Sequence, residues 1–443
     1  MFQQHLKNLN KILGENSILI LESGKEKQRT FSADYPFRVN NNFYYCSGFN
    51  EPDSILIVLS GKKNAQTILF CREKNEEKEM WQGFRFGPKL AKQEFKFNAA
   101  FPIHQFKNKL ENYLKNKNNL FWQIGDNKIL DDFIFQSIDN LKKQRGVVYP
   151  KNLKNAYDLF ENLRVIKNQQ EIILMQEAAK ISDCGHIRAM QTVQPGMWEY
   201  QLEAELSYVF RQNGAAFEHA YAPIVAGGKN ACVLHYNQNN CLLNSNELVL
   251  IDAGAEYQHY AADITRTFPI SGKFTPEQKI IYEIVLNAQK IAIHSIKENV
   301  DFNQAHLNVI RFYVESLMDL KIIKKGNTDN AIEQGKWKNF YMHGTSHFLG
   351  LDVHDLGIYK NNEKEWIQFK KGMVLTVEPG LYLNEKHLPD HLKQFKNIGI
   401  RIEDNVLITE KGAQVYTHAP KEIAEIEHLM AQNKKSTVNN KKI

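Results

Sequence analysis

The chain has 443 residues, 43% of them hydrophobic and 11% aromatic, which excludes a disordered protein and leaves length for two or three domains of about 150 residues. Its formal charge is +6, but four lysines and no acid fall in residues 433–443, so the remainder is close to neutral and gives no reason to expect a nucleic-acid partner. The absence of an 18-residue apolar run, the lack of a signal-like apolar core at the start, and five scattered cysteines (Cys46, Cys71, Cys184, Cys232, Cys241) point to a cytoplasmic protein with reduced thiols.

The first half mixes strand and helix. Residues 54–60 form an apolar run ended by Gly61, which predicts a buried strand with 66–71 as its neighbour. Apolar spacings of three and four predict helices over 106–117 and 130–143, so this half reads as an α/β domain. The character changes at Arg164-Val165-Ile166-Lys167-Asn168. Beyond it, an amphipathic helix is expected over 169–190, stopped before Pro195-Gly196, and another over roughly 198–212, ending at Asn213-Gly214. A strand pair follows in 247–268, a helix over 276–298 after Thr275-Pro276, and strand and loop from 339 onward. The expected divisions are 1–165, 166–432 and a Lys-rich flexible tail over 433–443.

The chemistry-bearing residues sit on the later strands. In Leu248-Val249-Leu250-Ile251-Asp252 an apolar strand delivers an aspartate, and Asp263 follows eleven residues later. A hairpin centred between Tyr257 and Gln258 would set Asp252 opposite Asp263, with Cβ atoms about 5 Å apart. Two ionised carboxylates that close are costly in a core unless a cation lies between them. His343, His347 and His354 fall in one Gly-interrupted segment. Glu378 ends an apolar strand and is held extended by Pro379, while strand alternation sends Arg401 and Glu403 to the same side. Four acids with one or more histidines form an oxygen-rich donor set suited to Mn²⁺ or similar hard divalent ions. Two such ions would balance four carboxylates, and a pair about 3.5–4 Å apart can hold a bridging hydroxide as nucleophile. The pattern reaches metal-assisted hydrolysis and leaves the substrate open.

At these residues the sequence resembles the pita-bread metallopeptidases, and within them the bacterial aminopeptidase P (Xaa-Pro aminopeptidase) family. The matching motifs are Leu250-Ile251-Asp252-Ala253-Gly254, Asp263-Ile264-Thr265-Arg266-Thr267-Phe268-Pro269, the stretch from His343 to Asp355, Val377-Glu378-Pro379-Gly380-Leu381-Tyr382 and Gly399-Ile400-Arg401-Ile402-Glu403-Asp404. Asp34-Tyr35-Pro36-Phe37-Arg38, Gly48-Phe49-Asn50-Glu51-Pro52-Asp53 and Trp81-Gln82-Gly83-Phe84-Arg85-Phe86-Gly87 extend the likeness to the first half.

The resemblance implies an α/β (α+β) protein, with an N-terminal α/β domain before a pita-bread catalytic domain. It implies two divalent ions per subunit, Mn²⁺ being best suited, held by Asp252, Asp263, His347, Glu378 and Glu403. Asp263 and Glu403 would bridge the ions, and a bridging hydroxide would attack the carbonyl before proline. Glu378 would shuttle the proton, His235 would support the tetrahedral intermediate, and His343 and His354 would line the substrate site. Arg401 would bond among the ligands, Tyr382 would stand behind them, and Trp81 would reach a neighbouring subunit's site. The implied partners are peptides beginning Xaa-Pro and further copies of the chain, as dimer or tetramer, without nucleic acid or membrane. Members with an arginine in the segment matching 359–366 differ from this chain, which has only lysines there. Prolidase, which shares the five ligands and takes dipeptides, is the alternative; a non-catalytic pita-bread binding protein is a remote one.

Overall fold

In the computed structural model, residues 1–217 and 219–439 are described, and the chain divides into two compact units, Met1–Leu163 and Arg164–Ile443. The first unit is built on one six-stranded sheet. Its strand order is Ala99–Pro102, Gln66–Cys71, Ile55–Leu59, Ser17–Glu22, Asn119–Trp122 and Asn152–Asn155. The expected pair forms antiparallel, with Ile55 opposite Phe70 and Ile57 opposite Ile68. The central strands read as apolar runs because both of their faces are covered. On one face the helices Phe106–Leu114 and Lys128–Lys142 bury Leu110, Leu114, Ile134, Ile138 and Leu141 against Ile18, Ile20, Ile57 and Phe70. The second of these helices starts earlier than its apolar spacing suggests, because the Asn127 side chain caps it by accepting from the Ile129 and Leu130 amides. The first stops at Leu114, where Lys115 leaves helical geometry at ψ 138°.

The second unit carries its helices around short sheets. Gln169–Thr192 begins in a capping box, in which Asn168 accepts from the Glu171 amide and Glu171 accepts from the Asn168 amide. Pro276–Ser295 begins the same way at Thr275 and Gln278, with proline at its first turn. One sheet is Thr265–Pro269, Leu248–Asp252 and Ile224–Gly227; another is Val374–Val377, Asp404–Thr409 and Gly412–Val415. Gly380–Leu383 pairs with Ile398–Arg401. Together with the helices these strands enclose one core, in which Ile251, Phe268, Tyr282, Val285, Leu375, Val377 and Ile400 are buried.

Three details depart from the sequence reading. The hairpin turn is the pair Gln258 and His259, both at positive φ (46° and 70°), so its centre lies one residue later than expected and Asp252 faces Thr265. The shift in pairing is two residues, which in a pleated strand keeps Asp263 on the same face as Asp252. The helix Gln304–Asp319 was not anticipated, although Val309, Ile310, Tyr313, Val314 and Leu317 bury one side of it. Ile423–Asn439 is helical where strand and loop are expected, because Ile426 and Met430, one turn apart, seat it on the core. The expected lysine-rich tail begins within this helix, and residues 440–443 lie outside the described residues. Among the described residues no helix is long and apolar enough to cross a membrane.

Candidate metal centre

Four acids reach one cavity of about 630 Å³ in the second unit from four points of the chain. Asp252 ends the strand Leu248–Asp252, and Asp263 precedes Thr265–Pro269 on the returning arm of the hairpin. Glu378 leaves the strand Val374–Val377 just before Pro379, and Glu403 lies between Ile398–Arg401 and Asp404–Thr409. His347 has no helix or strand of its own. Its segment is zipped to the edge of Val374–Val377: the Thr376 amide donates to the His347 carbonyl (3.0 Å), the Glu378 amide to the Thr345 carbonyl (2.9 Å), and Phe348 bridges Leu375.

The donor atoms converge. One atom each from Asp263, His347 and Glu403 lie within 4.8 Å of one another. His347 Nε2 is 3.4 Å from Asp263 Oδ2 and 3.6 Å from Glu378 Oε1. His347 Nδ1 is assigned as donor to the Phe348 carbonyl at 3.0 Å, which turns Nε2 toward the carboxylates, the arrangement a metal-ligating imidazole uses. Tyr221 Oη stands 2.5 Å from both Asp252 Oδ1 and Asp263 Oδ1; its single proton serves one carboxylate at a time.

Burial and crowding set the electrostatics. Burial raises the carboxyl of Glu403 well above its ordinary value, with the charges of Asp263 and Glu378 adding to the effect. Burial raises Asp263 as well, with Asp252 next to it, and lifts Glu378 to about 7. Burial works against charge on His347, yet the Asp263 hydrogen bond and the Glu378 charge outweigh it and raise the imidazole to about 9. Asp252 goes the other way: burial is overcome by the Arg401 guanidinium, whose Nη2 lies 2.6 Å from Asp252 Oδ2. Three acids pushed toward neutrality by burial and by one another, beside an imidazole drawn toward its cation, form a site in want of positive charge. Four carboxylates and an imidazole Nε2 are a fitting donor set for hard divalent ions.

A polar relay supports this centre. Arg401 Nε donates to Thr265 Oγ1 (3.2 Å), which donates to Glu403 Oε2 (2.6 Å). Arg401 Nη1 donates to Tyr382 Oη (2.9 Å), and that hydroxyl donates to His343 Nε2 (2.8 Å) while His343 Nδ1 donates to the Gly344 carbonyl (2.7 Å). Burial, with Arg401 nearby, takes His343 down to about 3, in keeping with a neutral ring. His235 and His354 also line the cavity, and the His354 ring lies 4.3 Å from that of His347, edge to face.

Of the residues singled out from sequence, Asp252, Asp263, His235, His343, His347, His354, Glu378, Arg401 and Glu403 line this one cavity, and Tyr382 is bonded to two of them. Trp81 lies in the first unit, on the helix Glu76–Gln82, and is 82% exposed. Sequence reasoning missed Tyr221, since a lone tyrosine outside any regular element carries no pattern. It also gave no role to Thr265, although Thr265 lies two residues from Asp263 in an extended run and so shares its face.

The sequence matches Metallopeptidase family M24 over residues 173–410 and the Aminopeptidase P, N-terminal domain over residues 2–122. A relative from Haemophilus influenzae named Xaa-Pro aminopeptidase is 43% identical over 416 residues, covering 94% of this chain and 93% of that protein. The solved structure of Pseudomonas aeruginosa aminopeptidase PepP superposes with a TM-score of 0.94 at 37% identity, covering 98% of each chain. That of Escherichia coli aminopeptidase P with the inhibitor Pro-Leu gives 0.92 at 35% identity, again covering 98% of each. The α/β unit followed by a pita-bread unit is the architecture expected from the motifs.

Proposed function

The chain belongs to metallopeptidase family M24, and from that premise we propose that it releases the N-terminal residue from peptides whose second residue is proline. The observation that carries this reading is the convergence of Asp263, His347 and Glu403 beside Asp252 and Glu378 in one cavity, on a chain alike over nearly its whole length to Xaa-Pro aminopeptidases. Two divalent ions, with Mn²⁺ the suited metal, would be held by Asp252, Asp263, His347, Glu378 and Glu403. Bound there, such ions supply Lewis acidity for the scissile carbonyl and lower the pKa of water to near neutrality.

The side chains do the rest. Glu378 accepts a proton from the attacking water at a carboxylate oxygen and passes it to the proline nitrogen as that bond breaks. His235 supports the charge developing on the carbonyl oxygen, as an oxyanion donor. His343, held neutral by burial and oriented by the Tyr382 hydroxyl, and His354 flank the substrate proline. Arg401 fixes Asp252 and Tyr382 together and so ties the carboxylates to the substrate-facing His343.

Trp81, with the exposed Met80 and Phe84 beside it, is suited to reach a second copy in a dimer or tetramer. The five free cysteines agree with a reducing, cytoplasmic setting. The test is hydrolysis of Ala-Pro-Ala, Ala-Pro and Ala-Ala-Ala by Mn²⁺-loaded protein, with metal content measured in parallel. Release of alanine from Ala-Pro-Ala and not from Ala-Ala-Ala is expected. Cleavage of Ala-Pro alone would make the protein a prolidase, and no cleavage of either proline peptide would overturn the reading.

A further inference from the structure

His235 lines the cavity from an exposed loop and, like His354, has no hydrogen-bond partner for its side chain among the described residues. Its placement therefore depends on the backbone that carries it. That backbone is tied down from below by Glu199, the first residue of the helix Glu199–Gln212 and fully buried at 0% exposure. Glu199 Oε1 accepts from the Gly227 amide (2.8 Å) and from Asn230 Nδ2 (2.9 Å). Oε2 accepts from the Tyr236 hydroxyl (2.7 Å) and from the Cys241 amide (2.9 Å). The Glu199 amide in turn donates to the Cys241 carbonyl (2.9 Å).

These four donors come from the start, the near flank and the end of the segment that projects His235, and Tyr236 is its direct chain neighbour. One turn further along the same helix, Glu203 Oε2 accepts from Asn239 Nδ2 (2.8 Å), and Asn239 Oδ1 accepts from the Val225 amide (2.9 Å). No cation lies within ion-pairing distance of Glu199 among the described residues, so its oxygens are satisfied by these donors alone. A buried acid without a counter-ion is costly unless every lone pair is used. A surface helix start has no need of such a group; a loop that must present one side chain at a fixed point does.

We propose that Glu199 is a positioning residue for His235: its carboxyl group gathers residues 227, 230, 236 and 241 and thereby sets where the imidazole meets the developing oxyanion. The inference rests on the role given to His235 above. It predicts that Glu199→Gln, which presents an NH₂ group to two of the four donors, displaces the loop without touching the metal ligands.

The experiment is a double-mutant cycle on the Mn²⁺-loaded enzyme with Ala-Pro-Ala: Glu199→Gln, His235→Ala and both together, with kcat, KM, bound metal and Tm for each. Glu199→Gln is expected to lower kcat about tenfold to a hundredfold, the range for residues that orient a functional group, with bound metal unchanged. In the His235→Ala background the same change should alter kcat by less than about twofold, because the two act as one unit. An equal fall in both backgrounds, or a parallel loss of metal, would overturn the positioning role while leaving that of His235 intact. Wild-type kcat in His235→Ala alone would instead remove the reading beneath it. Should Glu199→Gln fail to fold, Tyr236→Phe deletes a single donor; its kcat should fall about threefold to tenfold and only where His235 is present. Unchanged kcat in Tyr236→Phe would count against the proposal.

Discussion

Asp404→Asn is the substitution whose cost follows most directly from the packing. Asp404 and Arg266 are both at 0% exposure and form an ion pair at 2.7 Å. The same carboxylate accepts from Thr417 Oγ1 (2.8 Å), Gln289 Nε2 (3.0 Å) and Lys421 Nζ. Asparagine keeps the shape and one acceptor, but it turns an NH₂ group toward donors and leaves the Arg266 guanidinium buried without its counter-charge. Breaking a buried pair from one side costs about 3–5 kcal/mol, which for a unit of this size lowers Tm by about 6–20 °C. Burial opposes ionisation of Asp404, but Arg266 and Lys421 outweigh it and hold the carboxyl below its ordinary range. A depressed folded-state value means the stabilisation is complete above the unfolded value of about 4 and is lost only as pH falls through the folded one, so a melt at pH 7 reads all of it. The assay is thermal and urea unfolding of both proteins, with metal loading held equal. A loss below about 1 kcal/mol would refute the argument that this pair is desolvated and unrelieved.

Three further outcomes are expected. Asp263→Ala removes a carboxylate central to the cavity and should cut Mn²⁺-dependent turnover by at least about a hundredfold; wild-type-like turnover would sink the metal mechanism. Chelation should lower Tm, since ions that bind only the folded form add about 2.7 kcal/mol at a hundredfold excess over Kd, and a Tm indifferent to Mn²⁺ would deny that the crowded acids hold a cation. Acid should destabilise the fold: burial holds His186, His219 and His306 each at about 4. With folded values depressed below about 6.5, their contribution is full above pH 6.5 and is lost as pH falls toward 4, about 3 kcal/mol at most for each. Unfolding free energy that stays flat between pH 7 and 4.5 would contradict their burial as neutral rings.

Much of the site was legible because strands impose a period of two. Asp252, Asp263, Glu378 and Glu403 each end or border an apolar run, and an acid in that position announces itself. Even the misplaced hairpin centre did no harm to the face, since the pairing slipped by an even number. The histidines were less legible. His343, His347 and His354 share a segment with no periodicity, and nothing local says which of them turns Nε2 to the acids; only the zipper of 345–348 onto Val374–Val377 decides it. Tyr221 and Glu199 were illegible for the same reason: each acts through partners that are remote in sequence or scattered along a loop, and neither sits in a repeating pattern.

One rule nevertheless connects the parts that were read and those that were not. Three cavity residues are each followed in the chain by a buried anchor: His235 by Tyr236, His354 by Asp355 and Glu403 by Asp404. Tyr236 binds Glu199; Asp355 binds Arg164 and Lys167, with Lys167 Nζ at 2.9 Å; Asp404 binds Arg266, whose Nη1 also donates to the Glu403 carbonyl at 2.6 Å. At each of these three places the cavity residue is followed by one that turns into the body of the protein. The second residue is then free to be polar because a buried partner awaits it, and that partner fixes the register of the first. Arg164 and Lys167, which mark the change of character at the start of the second unit, thus hold the histidine segment nearly two hundred residues away. The anchors set the site's geometry together with the ligands, and two of them, Asp355 and Asp404, end matching motifs in which they are given no role.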